Sequence, residues 1–347
     1  MLDLNKSNIL VTGSHGHIGS YVVEWLCKLY KNCTVVCIDN GYNSNIENLS
    51  LASHYARLNR NIIINSDTSF RSYDIIDRLS LEYLFKMYKF DYVFHLASML
   101  TLDTKQFPIR GIETNIMGFA NILHMCKKYE VKKIVFSSSA SVYGDPSTIP
   151  VSENHSFESC RLLYGTTKIA NEHLAKTFVL EEGLDIVGLR YFNVYGERQS
   201  TKNVYTQIVP KWIQSILKGS SITIYGGGTQ TMDMVHGEDV GRLNVEAMIK
   251  DTKDYMFYNI GSGIETSVYR LYELMRDELR NRNFEVDKIE VIHEEHDPNL
   301  VKRRKADVTR MHKYIGEHTI SVEEGIKRVI DYYIKKEEQN LEKLMRS

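Results

Sequence analysis

Short, unbroken apolar runs recur through the first half of this chain, each followed by a stretch of different periodicity. Asn8 to Thr12, Cys33 to Ile38, Ile62 to Ile64, Tyr92 to Leu96, Lys133 to Ser137 and Ile186 to Leu189 read as strands. Ile18 to Leu29, Ile109 to Tyr129 and Tyr164 to Glu182 carry apolar residues at helical spacing. A strand that is apolar throughout needs cover on both faces. Such strands alternating with helices predict a doubly wound parallel sheet, an α/β architecture with helices on either side.

After about Gly196 the rhythm changes. Ile208 to Lys218, Val268 to Leu279 and Ser321 to Lys336 look helical, Ile222 to Tyr225 is a short strand, and Gly226 to Gly228 a turn. The 347 residues exceed one small domain, and at about 150 residues per domain two are expected. The division falls at residues 1–195 and 196–347, the second part a smaller α/β domain with some segments returning to the first.

Lys plus Arg number 43 against 44 Asp plus Glu, so no strong positive field serves a nucleic-acid partner. No apolar run is long enough for a membrane span. Met1 to Asn8 runs straight into a strand and reads as no signal peptide. The five cysteines include no C-x-x-C pair. Cys33 and Cys37 share a strand, about 13 Å apart, too far to bridge. Buried thiols in a reducing, cytoplasmic compartment are expected.

Thr12-Gly13-Ser14-His15-Gly16-His17-Ile18-Gly19 stands between the first strand and the first helix. Glycines there permit a tight turn and let backbone N–H groups reach a pyrophosphate at a helix N-terminus. The strand–turn–helix context gives the spacing its weight, since turns use glycine anyway. Asp39 ends the second strand, where a carboxylate accepts from a ribose diol and repels a 2′-phosphate. NAD is therefore expected over NADP.

Tyr164 and Lys168 lie four apart at the start of a helix and share a face. A tyrosine is a poor base at its ordinary pKa of ~10. A nearby ammonium and a cationic nicotinamide both favour the phenolate. Alone, such a pair also fits a solvated helix surface. Ser137, Ser138 and Ser139 end the fifth strand, where ligands bind in doubly wound sheets, although serines make ordinary turns too.

Taken together and in this order, the features resemble the extended short-chain dehydrogenase/reductase family, most closely its nucleotide-sugar 4-epimerases. The resemblance spans nearly the whole chain. It implies a Rossmann-like NAD domain and epimerisation of a nucleotide-activated sugar at C4 through a 4-keto intermediate. It implies Ser139 as the serine bonded to the sugar hydroxyl, Tyr164 as the base and Lys168 as its electrostatic partner. The cofactor contacts it implies are Gly13, Gly16, His17, Ile18, Gly19, Asp39, Asn40, Asp67, Thr68, Leu96, Ala97, Asn115, Ser137, Tyr164, Lys168 and Tyr191. Substrate falls to Ser139, Tyr164 and Asn193, and to Arg303 and Arg304. A homodimer is implied through a four-helix bundle of roughly Ile109 to Tyr129 and Tyr164 to Glu182.

Two departures qualify the resemblance. Nucleotide-sugar 4,6-dehydratases carry an Asp-Glu pair where this chain has Ala140 and Ser141, and UDP-glucuronate decarboxylases typically place a glutamate at the position of Ser141. Neither residue here can act as acid or base, which disfavours dehydration. Met232 stands where the family usually has a diphosphate-binding arginine, and a thioether cannot replace a guanidinium fork. Arg303, Arg304 or Lys302 would then supply the charge, with one of the two arginines turned into the cleft and the other to solvent. His293-Glu294-Glu295-His296 reads as a solvated charged turn, and no metal is expected. Rival readings are a net 4-dehydrogenase, dehydratase or decarboxylase sharing C4 oxidation, and a non-catalytic dinucleotide sensor.

Overall fold

The computed structural model describes residues 2–50, 52, 62–64, 73–157, 159–200, 208–252, 254, 256–295 and 301–346. Its first six strands are β1 (Asn8–Thr12), β2 (Thr34–Ile38), β3 (Ile62–Ile64), β4 (Tyr92–His95), β5 (Lys133–Ser139) and β6 (Ile186–Tyr191). Then come β7 (Asn193–Tyr195), β8 (Ile222–Tyr225), β9 (Thr231–His236), β10 (Phe257–Ile260), β11 (Glu265–Ser267) and β12 (Val291–Glu294). Seven of them form one parallel sheet in the order β10-β6-β5-β4-β1-β2-β3.

β1, β2, β4, β5, β6 and β10 are buried on both faces, as unbroken apolar strands require. Successive side chains of a strand point to opposite faces. Ile9 and Val11 of β1 accordingly pack with Val22, Val23 and Leu26 of the helix His17–Leu29 and with Leu243 of the helix Gly237–Ile249. Leu10 between them joins Leu84 and Phe85 of the helix Arg78–Tyr88 and Ile122 and Leu123 of the helix Gly118–Lys128.

The sheet recruits β10 from the second half of the chain, where it pairs with β6 through Phe257 opposite Gly188. The helix expected over Ile109 to Tyr129 is three pieces, Pro108–Ile112, a π turn Glu113–Met117 and Gly118–Lys128, and a short helix Thr101–Gln106 precedes them. Pro108 begins a helix because its missing N–H is not needed there. The remaining strands form a β11-β9-β7 sheet and a β12-β8 pair. Around them, a further apolar cluster gathers Trp212, Leu271, Met275, Val329 and Ile330 from the helices Ile208–Leu217, Val268–Asn281 and Val322–Arg346. All five cysteines are free, and four are buried. Among the described residues no helix is long and apolar enough to cross a membrane.

Candidate active site

A cleft of about 260 Å³ opens outside the carboxyl ends of β1, β4, β5 and β6, where ligands bind in sheets of this kind. Gly13, Gly16, His17, Ile18 and Gly19 form one end of its lining. Gly13 has φ +66°, and a Cβ there would come within 2.7 Å of the Ala97 nitrogen. A Cβ on Gly19 would lie 2.1 Å from the Gly13 oxygen, so only glycine lets the loop fold back on the helix. Gly16 caps the helix without a side-chain bond, and the first intrahelical bond runs from Ser20 N–H to Gly16 O. The N–H groups of the first turn thus face the cleft with the helix dipole behind them, which fits a pyrophosphate. The His17 side chain turns away and packs edge-on to Tyr21, where burial holds its pKa down at about 3.

A second cavity adjoins the first and shares Gly13, Gly16, Leu96 and Ser98 with it. Asp39, Asn40 and Ala97 line it. Asp39 accepts from Gly41 N–H at 2.9 Å and Ser44 Oγ at 2.6 Å through one oxygen, and from His15 N–H at 3.1 Å through the other. A carboxylate has about four acceptor positions, so one remains for a ribose hydroxyl. The cavity also takes in Tyr73, Asp74 and Ile75. Asp74 accepts from Asn40 Nδ2 at 3.0 Å. Asp67 and Thr68 lie outside the described residues. Asp74 stands in the cavity without any local sequence pattern that marks it.

Asn115 lines neither cavity. It is buried in the π turn, where its Oδ1 accepts from Met99 N–H at 2.7 Å and its Nδ2 donates to Met99 O at 3.0 Å and Thr167 Oγ1 at 3.1 Å. These bonds tie the loop after β4 to the helix Leu163–Glu182.

Ser137, Ser139, Tyr164, Lys168 and Tyr191 meet in the first cavity. Lys168 is buried one helical turn beyond Tyr164, with its Nζ 5.6 Å from the centre of the tyrosine ring. It donates to Ser137 O at 2.9 Å and Ser137 Oγ at 3.3 Å. Burial pushes the ammonium down to about 7, and the nearby Glu172 carboxylate opposes that shift. Ser138 Oγ donates to Glu172 at 2.6 Å, and Arg190 forks onto both oxygens of Glu172 at 2.8 and 2.7 Å. Tyr191 offers only its ring to the cleft, because its hydroxyl donates to Asn244 at 2.8 Å.

At the far end stand Asn193, Ser141 and Arg304. Asn193 Oδ1 is buried without a hydrogen-bond partner among the described residues. Met232 instead packs against the second-half apolar cluster. Arg303 is not part of the lining: it is 60% exposed and forks onto Glu265 at 3.0 and 2.7 Å. The pairing with Glu265 keeps Arg303 at the surface, out of substrate reach, and Arg304 is the arginine of the pair in the cleft.

A fold with this cleft is that of a dinucleotide-dependent enzyme. The model of the NAD dependent epimerase/dehydratase family matches residues 9–261, and the chain belongs to that family. A putative UDP-glucose 4-epimerase of Methanocaldococcus jannaschii is 32% identical over 93% of this chain and 97% of its own length. A UDP-N-acetyl-alpha-D-glucosaminuronate decarboxylase of Bacillus cytotoxicus is 30% identical over 94% of this chain and 98% of its own. Among solved structures, UDP-glucose 4-epimerase of Thermotoga maritima with UDP-glucose superimposes with TM-score 0.83 at 31% identity, over 95% of this chain and 99% of that one.

Proposed function

We propose that the chain is an NAD-dependent nucleotide-sugar epimerase that inverts C4 of the sugar. The convergence of Ser139, Tyr164 and Lys168 on a cleft whose other end is the glycine loop carries this reading. NAD, when bound, accepts the C4 hydride and returns it to the opposite face. Tyr164 takes the O4 proton as its phenolate and gives it back on return. The Lys168 ammonium stabilises that phenolate, and Ser139 Oγ holds the sugar hydroxyl in line. Asn193 and Arg304 take the diphosphate, with Arg304 in place of the arginine absent at Met232. Asp39, Asn40 and Asp74 take the adenosine end.

The decarboxylase relative makes a second reading specific, and Ser141 in the cleft speaks against it. Its hydroxyl supplies no carboxylate. Residues 1–195 would carry the cofactor and 196–347 mainly the substrate, with β10 returned to the main sheet. A homodimer through a four-helix bundle of roughly Ile109 to Tyr129 and Tyr164 to Glu182 accounts for exposed Ile109, Ile112, Met117 and Leu180 on them. Five free thiols suit the cytoplasm.

The test is direct. The purified protein is denatured and its supernatant assayed for NAD and NADH, and intact protein is incubated with UDP-sugars while C4 configuration is followed by NMR. Bound NAD and interconversion of C4 epimers are expected. A preference for NADP, or loss of carbon dioxide or water instead of inversion, would contradict the reading.

A further inference from the structure

β1 lies between β4 and β2 in the sheet, so the segments leaving β2 and β4 rise on opposite sides of the glycine loop. They nevertheless touch. The Tyr42 hydroxyl, on the β2 side, donates to Asp103 Oδ1 at 3.4 Å, and the guanidinium carbon of Arg110 lies 4.7 Å from the centre of the Tyr42 ring. Asp103 and Arg110 both belong to the β4 side. A contact between segments that flank β1 crosses over the carboxyl end of β1.

Tyr42 and Arg110 also line the second cavity, whose other wall includes Gly13 and Asp39. Arg110 is the one cation among the described residues lining it, beside the carboxylates of Asp39 and Asp74. Asp103 is 6% exposed, and its Oδ2 has no hydrogen-bond partner among the described residues. Its Oδ1 gives the Tyr42 hydroxyl a fixed acceptor on the far side.

We infer that Tyr42, Asp103 and Arg110 form a bridge across the adenosine end of the cofactor site, under which the dinucleotide is held. The inference rests on the NAD reading above. Tyr42 and Arg110 are then binding residues that cover the ligand, and Asp103 is a positioning residue that fixes Tyr42. A guanidinium stacked on tyrosine is planar and rigid enough to serve as a cover and still presents N–H donors to a phosphate or ribose oxygen. Such a bridge must part for the dinucleotide to enter or leave, so it slows both passages. A residue that merely touches the ligand slows only departure.

The experiment uses the full chain loaded with isotopically labelled NAD. Exchange is followed after adding excess unlabelled NAD, and association is followed on stripped protein by quenching of intrinsic fluorescence. Arg110→Ala and Tyr42→Leu should each raise both rates about tenfold, equivalent to ~1.4 kcal/mol at the barrier. Tyr42→Phe, which keeps the stacked ring and loses the hydroxyl, should fall between them and the parent. Thermal melts of the stripped variants, matching that of the parent, establish that folding is intact. Exchange at the parental rate in all three variants, or faster release with unchanged association, overturns the bridge while leaving the NAD reading intact. Protein that neither carries nor binds NAD overturns both.

Discussion

Lys168 and Ser137 are joined twice: the lysine ammonium donates to the serine carbonyl at 2.9 Å and to its hydroxyl at 3.3 Å. The pair ties the helix carrying Tyr164 to the end of β5, which carries Ser139. Tyr164 and Ser139, the proposed base and sugar-binding serine, therefore keep one relative position, and the ammonium is anchored 5.6 Å from the tyrosine ring centre. Transition-state stabilisation depends on such preorganisation, because charges that need not move cost no reorganisation when the reaction occurs.

Tyr164→Phe should lose turnover by ~10²–10⁴ while keeping the fold and its bound NAD. It removes one hydroxyl and leaves the ring. Steady-state rates and nucleotide content of the same preparation check this. Near-parental kcat would assign the base elsewhere.

Lys168→Met should lose most activity and yet stabilise the protein at low pH. The folded pKa, about 7, lies below the ordinary lysine value because the ammonium is buried. Below about 7 both folded and unfolded chains carry the proton, and the cost of burial is fully present. As pH rises toward the unfolded value the folded chain holds fewer protons, and the cost fades. The gain in Tm should be largest near about pH 6 and smaller by about pH 9. A gain that grows with pH would reverse the sign.

Arg304→Met should raise the substrate KM about tenfold to a hundredfold, a charge-assisted hydrogen bond being worth ~1.5–3 kcal/mol. Arg303→Met should change it little, since that side chain is committed to Glu265 at the surface. Bound NAD should be unaffected in both. Equal effects of the two substitutions on KM would misplace the diphosphate.

Arg190→Met should destabilise the fold by about 3–5 kcal/mol, because it leaves the Glu172 carboxylate buried without its guanidinium. The two side chains are 2% and 1% exposed, so water offers little relief. Urea unfolding measures the loss. A shift below about 1 kcal/mol would mean that Ser138 alone satisfies the carboxylate.

Six strands of the main sheet, the glycine loop and the Tyr164–Lys168 pair were legible in the amino-acid order, because each is local. Apolar runs give strands that need two covered faces, and a spacing of four puts two side chains on one side of a helix. Asn115 was not legible in this way. Its bonds to Met99 and Thr167 join positions 16 and 52 residues away, which no local pattern reports.

The arginine pair marks the boundary most sharply. Arg303 and Arg304 are neighbours, and the charge missing at Met232 called for one of them in the cleft without saying which. Tertiary structure decided it. Ala306 bridges Val151, its N–H donates to Asp233 at 2.9 Å, and Thr231 N–H donates to Lys302 O at 3.0 Å. These bonds set the register of the segment against distant parts of the chain, which turns Arg303 to Glu265 and Arg304 to the cleft. Which of the two neighbours meets the cleft is set by partners far along the chain, and adjacency in the sequence carries no information about those partners.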